Sequence, residues 1–175
     1  GPRMAGTKAD ARAIEWALAK FGALGFDDVR IEPFSFPYWR RGHERGEILA
    51  PFPQPLAITA LGGSIGTGEK PLEADIVAFD SIAALQAAPS DAAEGKIVFI
   101  SQRPQRARDG RGYGLSVIGR SSGAVEAAKK GAVGLIIRSI STNTDRFPHT
   151  GIMRYAEDVK QIPAAAVSNP DADLL

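Results

Sequence analysis

A mixed α/β domain with a curved, mainly β core is the fold class that this sequence predicts, on three observations. Lys96–Ile100 and Val133–Ile137 are strongly apolar runs of strand length, as buried strands require. Between them, Ser121–Lys130 reads as a helix that Gly131 ends. Around them lie short strand-like runs broken by Pro51, Pro53 and Pro55. Proline donates no ladder hydrogen bond, so these runs belong at edges or bends of a sheet turning towards a barrel or sandwich.

The elements follow in order. Thr7–Leu24 is the first helix: Thr7 caps it, Asp10 stands at capping-box spacing, and Ile14, Ala17, Leu18, Phe21 and Leu24 recur on one face. Gly25 falls where a left-handed C-terminal residue belongs. Val29–Phe34 alternates as a strand. Phe34–Arg45 mixes aromatics, prolines and arginines, either an irregular surface loop or a linker packed on a neighbouring domain. Strands are expected at Glu47–Ala50, Leu56–Leu61, Leu72–Phe79, Lys96–Ile100, Val133–Ile137 and Pro163–Val167. Ser81 caps a short helix through Ala88. Ser101–Gly119 and Ser139–Val159 read as long loops, a length that in a compact domain usually carries function or covers something.

At 175 residues the chain suits one domain, or one with an appendage. A net charge of +1 provides no long-range field to gather nucleic acid or anionic membrane. With no cysteine, disulfides, thiolate metal sites and cysteine nucleophiles are excluded. No apolar run approaches the roughly 20 residues that span a bilayer. The chain opens at Gly1-Pro2-Arg3 and stops at Ala172-Asp173-Leu174-Leu175, where a helix is just beginning, so a fragment of a longer protein is expected.

The chemistry-bearing residues are sparse. His43 and His149 are the two histidines, and neither has a metal-ligand spacing around it. The glycine-rich run Gly62–Gly68 is followed by Glu69-Lys70-Pro71, which spoils a phosphate-binding loop, and a turn is the better account. Gly63-Ser64-Ile65-Gly66 has the wrong spacing for a nucleophile elbow. Arg103, Arg106, Arg108, Arg111 and Arg120 make a basic stretch, but Tyr113 is the one aromatic near it, so no stacking platform for single strands is evident. The loop Ser139–Val159 carries Asn143, Asp145, Arg146, His149, Thr150, Arg154 and Tyr155, donors and acceptors suited to gripping a peptide terminus. An internal Asp145–Arg146 or Asp145–Arg154 contact is the plainer alternative for them.

The ordered set Gly95-Lys96-Ile97-Val98, Ser121–Gly131, Ala132–Ile137 and Ile162–Ser168 resembles the protease-associated (PA) domain. Gly1–Thr7, Leu24–Arg30, Thr59–Thr67, Pro148–Gly151 and Arg154-Tyr155 extend the resemblance to the carboxypeptidase Q-like (plasma glutamate carboxypeptidase-like) branch of the zinc aminopeptidase superfamily. The resemblance implies residues 1–43 as a helix–strand piece of a peptidase domain, 44–168 as the PA domain, and 169–175 as the start of a return into the peptidase domain. It implies two zinc ions in the parent enzyme, with ligands beyond this chain, so no catalytic residue and no metal ligand is carried over. It further implies an extracytoplasmic location, a peptidase domain of the same chain and a peptide or dipeptide substrate as partners, and a possible homodimer. The isolated chain is then expected to hydrolyse nothing. A stand-alone module that binds a peptide or partner without chemistry is the second reading.

Overall fold

The computed structural model describes residues 2–175. The chain forms two compact units, Gly1–Trp39 and Arg40–Leu175.

The first unit is built around helix α1, Lys8–Ala23. Thr7 Oγ1 accepts from the Asp10 N–H at 3.2 Å, and the Asp10 carboxylate accepts from the Gly6 N–H at 2.9 Å. These two bonds satisfy donors that a helix start leaves free. At the other end Gly25 takes φ +79°. Its N–H donates to Gly22 O at 3.0 Å and the Phe26 N–H to Phe21 O at 3.3 Å. The Phe26 ring packs edge-on against Phe21 with centroids 5.3 Å apart, completing a Schellman end with its apolar contact. No residue of α1 is buried. The strand expected at Val29–Phe34 does not form. A strand is a relation between two backbones, and no described segment pairs with this one; Arg30 instead bonds locally to Asp28 and Glu32.

In the second unit β1 (Gly46–Ile48) and β2 (Gln54–Leu56) form a separate antiparallel ribbon. Five strands make the main sheet: β3 (Ile58–Ala60), β4 (Ile76–Phe79), β5 (Ile97–Ile100), β6 (Gly134–Arg138) and β7 (Ala164–Val167), in the order β3-β7-β6-β5-β4. β4 to β7 run parallel and β3 is antiparallel to β7. The sheet is open, with β3 and β4 at its edges, in place of the barrel-like closure that the broken strands pointed to. The single strand expected at Leu56–Leu61 is divided at Ala57. There the N–H donates to the Asp171 carboxylate at 2.5 Å while the carbonyl accepts from Ser168 at 2.9 Å. That exchange moves the chain from ribbon to sheet.

Helices α2 (Ile82–Ala87, capped by Ser81) and α3 (Tyr113–Lys129) are the crossovers of two successive β-α-β units. α3 starts eight residues before the helix read from the sequence, at Tyr113 rather than Ser121, and shortens the preceding loop to 101–112. A Cβ on Gly119 would lie 3.7 Å from Ile100, and one on Gly123 would lie 3.0 Å from Leu135 and 3.2 Å from Ile100. Gly123 in particular lets the helix lie close on β5 and β6.

The core divides by strand alternation. Val98, Ile100, Leu135 and Ile137 point to one face with Leu61, Leu85, Ala124, Ala127 and Ile162. Phe99 and Val167 point to the other, where Ala172 of the short helix α4 (Asn169–Ala172) and half-buried Ile136 meet them. Ile14, Leu18 and Phe21 of α1 belong to neither cluster.

Candidate functional site

The segment between β6 and β7 carries every site residue expected from the sequence, and the structure sorts them. Arg146 grips Asp171 through both carboxylate oxygens, at 2.8 and 2.9 Å, and donates to Pro55 O at 2.9 Å. Asp171 is 3% exposed. Burial pushes its carboxyl up, but the Arg146 hydrogen bonds and charge, the Ala57 N–H and the Ser168 hydroxyl together outweigh it and hold the pKa below the usual aspartate value. The same partnership raises Arg146. Arg146 therefore fastens the loop to α4 and to the ribbon, and the Asp145–Arg146 contact considered beforehand is replaced by this one.

Tyr155 is also tied inward: its hydroxyl donates to Ile162 O at 2.6 Å and accepts from the Ile65 N–H at 3.0 Å. Thr150 Oγ1 accepts from Arg41 at 3.0 Å, and Arg41 also donates to Ala60 O. The Asn143 carbonyl accepts from the Asn169 amide at 3.0 Å, and the Asn143 amide donates to Asp145 at 3.3 Å. His149 is held by its backbone N–H on Ser139 Oγ at 2.8 Å, while its Nε2 lies 3.4 Å from the Tyr113 hydroxyl. Tyr113 in turn accepts from Arg120 at 3.2 Å. The Arg154 side chain is exposed and has no hydrogen-bond or ion-pair partner among the described residues. Asp145, His149 and Arg154 are exposed, and of the three it is Arg154 whose side chain has no partner among the described residues.

Past His149 the chain runs beside the glycine-rich turn. Gly62 and Ile152 form a parallel bridge, with the Gly62 N–H on Gly151 O and the Met153 N–H on Gly62 O, both at 2.8 Å. Gly63 has φ +93°, and a Cβ there would sit 3.0 Å from Met153 O. The turn is therefore a packing device rather than a phosphate cradle. Segment 152–156 then lies alongside α3, with the Arg154 N–H on Ser121 O at 3.3 Å. A groove of about 480 Å³ runs between them, lined by Ser121, Ser122, Val125 and Glu126 from the helix and by 152–156 from the loop. The sequence did not reveal this groove, because half of it belongs to a helix whose outer face reads as ordinary solvated surface.

The basic stretch is mostly engaged. Arg103 contacts Asp173, Arg111 pairs with Asp109 at 2.7 Å, and Arg120 lies against Gly151. Among the described residues no three His, Cys, Asp or Glu side chains lie together where they could hold a metal ion, and His43 and His149 join no such group. The donor set does not fit a zinc ion, so no chemistry is assigned to one here. No helix of the described residues is long and apolar enough to cross a membrane.

The chain is 38% identical over 175 residues to Carboxypeptidase Q of Bos taurus and 39% identical to that of Xenopus laevis. It covers 100% of itself and 36% of each relative, so it spans little more than a third of their length. Among solved structures it is similar to a peptidase M28 precursor from Shewanella amazonensis SB2B, at 57% identity and a TM-score of 0.91, over 99% of this chain and 39% of that one. It also shares its fold with BSAP, a zinc aminopeptidase from Bacillus subtilis, at 21% identity and a TM-score of 0.63, over 99% of this chain and 37% of that one. The PA domain family matches residues 70–175, which hold the sheet strands β4–β7 with α2, α3 and α4. The chain belongs to the PA domain family.

Proposed function

We propose that this chain is the non-catalytic PA portion, with its N-terminal flank, of a longer extracytoplasmic dizinc exopeptidase, and that it shapes the path of peptide substrates to the catalytic cleft. The observation that carries this reading is the 57% identity, sustained over 99% of the chain, to a peptidase M28 precursor of which the chain spans 39%. Residues 1–43 then serve as a segment of the peptidase domain, 44–168 as the PA domain, and 169–175 lead back to the peptidase domain. Exposure of Trp16, Leu24 and Phe34 in the first unit supports a face that the peptidase domain covers. Both zinc ions belong with ligands of that domain.

Within this reading the loop 139–159 is the wall of the access path. Asp145, His149 and Arg154 are its outward polar groups, while Arg146, Tyr155 and Thr150 hold it in place. Phe147 and Ile152, 78% and 64% exposed, add an apolar surface for a substrate side chain or a second copy. The test uses the longer enzyme with Asp145→Ala and His149→Ala, assayed on dipeptides. A several-fold rise in KM with kcat little changed is the expected result, since these groups would bind substrate without touching the reacting atoms. Unchanged KM in both variants, with folding intact, removes the loop from the access path.

A further inference from the structure

The groove beside α3 has a composition that selects a ligand. Two charged side chains line it, and they are not equivalent. Glu126 is mostly buried and already held by Lys129 at 3.0 Å. Arg154 is exposed and has no partner among the described residues, so the groove presents one free guanidinium. The hydroxyls of Ser121 and Ser122 stand nearby, engaged only at 3.4 and 3.5 Å, and can rotate to donate. Val125, Ile152 and Ala156 supply an apolar wall. The volume of about 480 Å³ is that of a small-molecule or short-peptide site.

A planar cation with adjacent hydroxyl donors and an aliphatic wall matches a carboxylate joined to an aliphatic side chain. An ammonium end would have to share Glu126 with Lys129, which already holds its Oε1 at 3.0 Å and balances its charge. A simple inorganic anion leaves the apolar wall bare. We propose that this groove binds the carboxyl end of a peptide whose last residue is aliphatic, with the carboxylate on Arg154 and the side chain against Val125 and Ile152. Such a site goes beyond a role in shaping access. It would hold the end of a peptide on the PA portion itself.

The experiment titrates the full 175-residue chain with N-acetyl-Ala-Leu as the free acid and as the C-terminal amide, followed by methyl NMR. The free acid should give saturable shifts at Val125 and Ile152, and the amide should bind roughly two- to fivefold more weakly, as loss of an exposed ion pair predicts. Arg154→Ala should remove that preference. Arg154→Lys should retain part of it, and Arg154→Glu should reverse it. Because Arg154 is exposed, none of these variants threatens the fold. Equal binding of acid and amide, unchanged binding by Arg154→Ala, or shifts confined to residues away from α3 and 152–156 would each overturn the assignment. Binding is read on this chain without its parent's activity, so the result is independent of whether the loop gates a cleft.

Discussion

Asp171 ties three parts of the second unit together. Its two oxygens take the Arg146 fork and the Ala57 N–H, so one carboxylate joins α4, the long loop and the ribbon-to-sheet corner. Its pKa is held below the ordinary 3.8. A group whose folded pKa is depressed stabilises the fold above its unfolded value, and that contribution is lost as the pH falls through 3.8 towards the lower folded value. Denaturant titrations at neutral and acid pH should therefore show a smaller stability difference in Asp171→Asn than in the parent chain. An equal difference in both would mean that the acid limb arises elsewhere. Asp171→Ala removes the acceptor of the half-buried Ala57 N–H, and about 1 kcal/mol should be lost at neutral pH. The Arg146 half of the pair is 56% exposed, so its charge adds little beyond that.

Among the elements, α3 is defined by how closely it can approach the sheet. Gly119 and Gly123 both face β5, but their surroundings differ. At Gly119 a methyl group meets Ile100 at 3.7 Å, an ordinary contact, whereas at Gly123 it meets Leu135 at 3.0 Å and Ile100 at 3.2 Å. Gly119→Ala should thus stabilise the chain by roughly 0.5–1 kcal/mol, the helix preference of alanine over glycine. Gly123→Val should destabilise it by about 1–3 kcal/mol through overpacking. Thermal melts of the two variants shifting in the same direction would refute this account of the helix. The sequence placed the helix start late because nothing local marks it: Gly112 stands at the N-cap and offers no side-chain hydrogen bond to the free N–H groups. The N-terminal helix was legible for the opposite reason. Thr7, Asp10, Gly25 and the Phe21–Phe26 pair act within a few residues of one another, so local chemistry alone sets both ends.

At the scale of the molecule, stability should be uneven. α1 has no buried residue, and its Ile14, Phe21 and Leu24 are exposed, whereas β5, β6 and β7 carry the fully buried Val98, Leu135, Ala166 and Val167. A helix of this length without tertiary packing is marginal in water. Hydrogen exchange should find the α1 amides much faster than those of Val98, Leu135 and Ala166, which should open only with the whole second unit. Comparable protection in α1 would show that its apolar face is covered in solution. What the sequence by itself determined is local in its physics. Buried strands show as apolar runs, helix ends show as capping residues, and the order of motifs around β5, α3, β6 and β7 carries the PA resemblance. Only the tertiary structure decided the rest. It paired Arg146 with Asp171 rather than with Asp145, split a strand at Ala57, withheld a partner from 29–34, and set Arg154 beside α3 to form a groove. Each of these depends on backbone or charge brought together from distant positions, and a linear pattern records which groups are present but not which of them will meet.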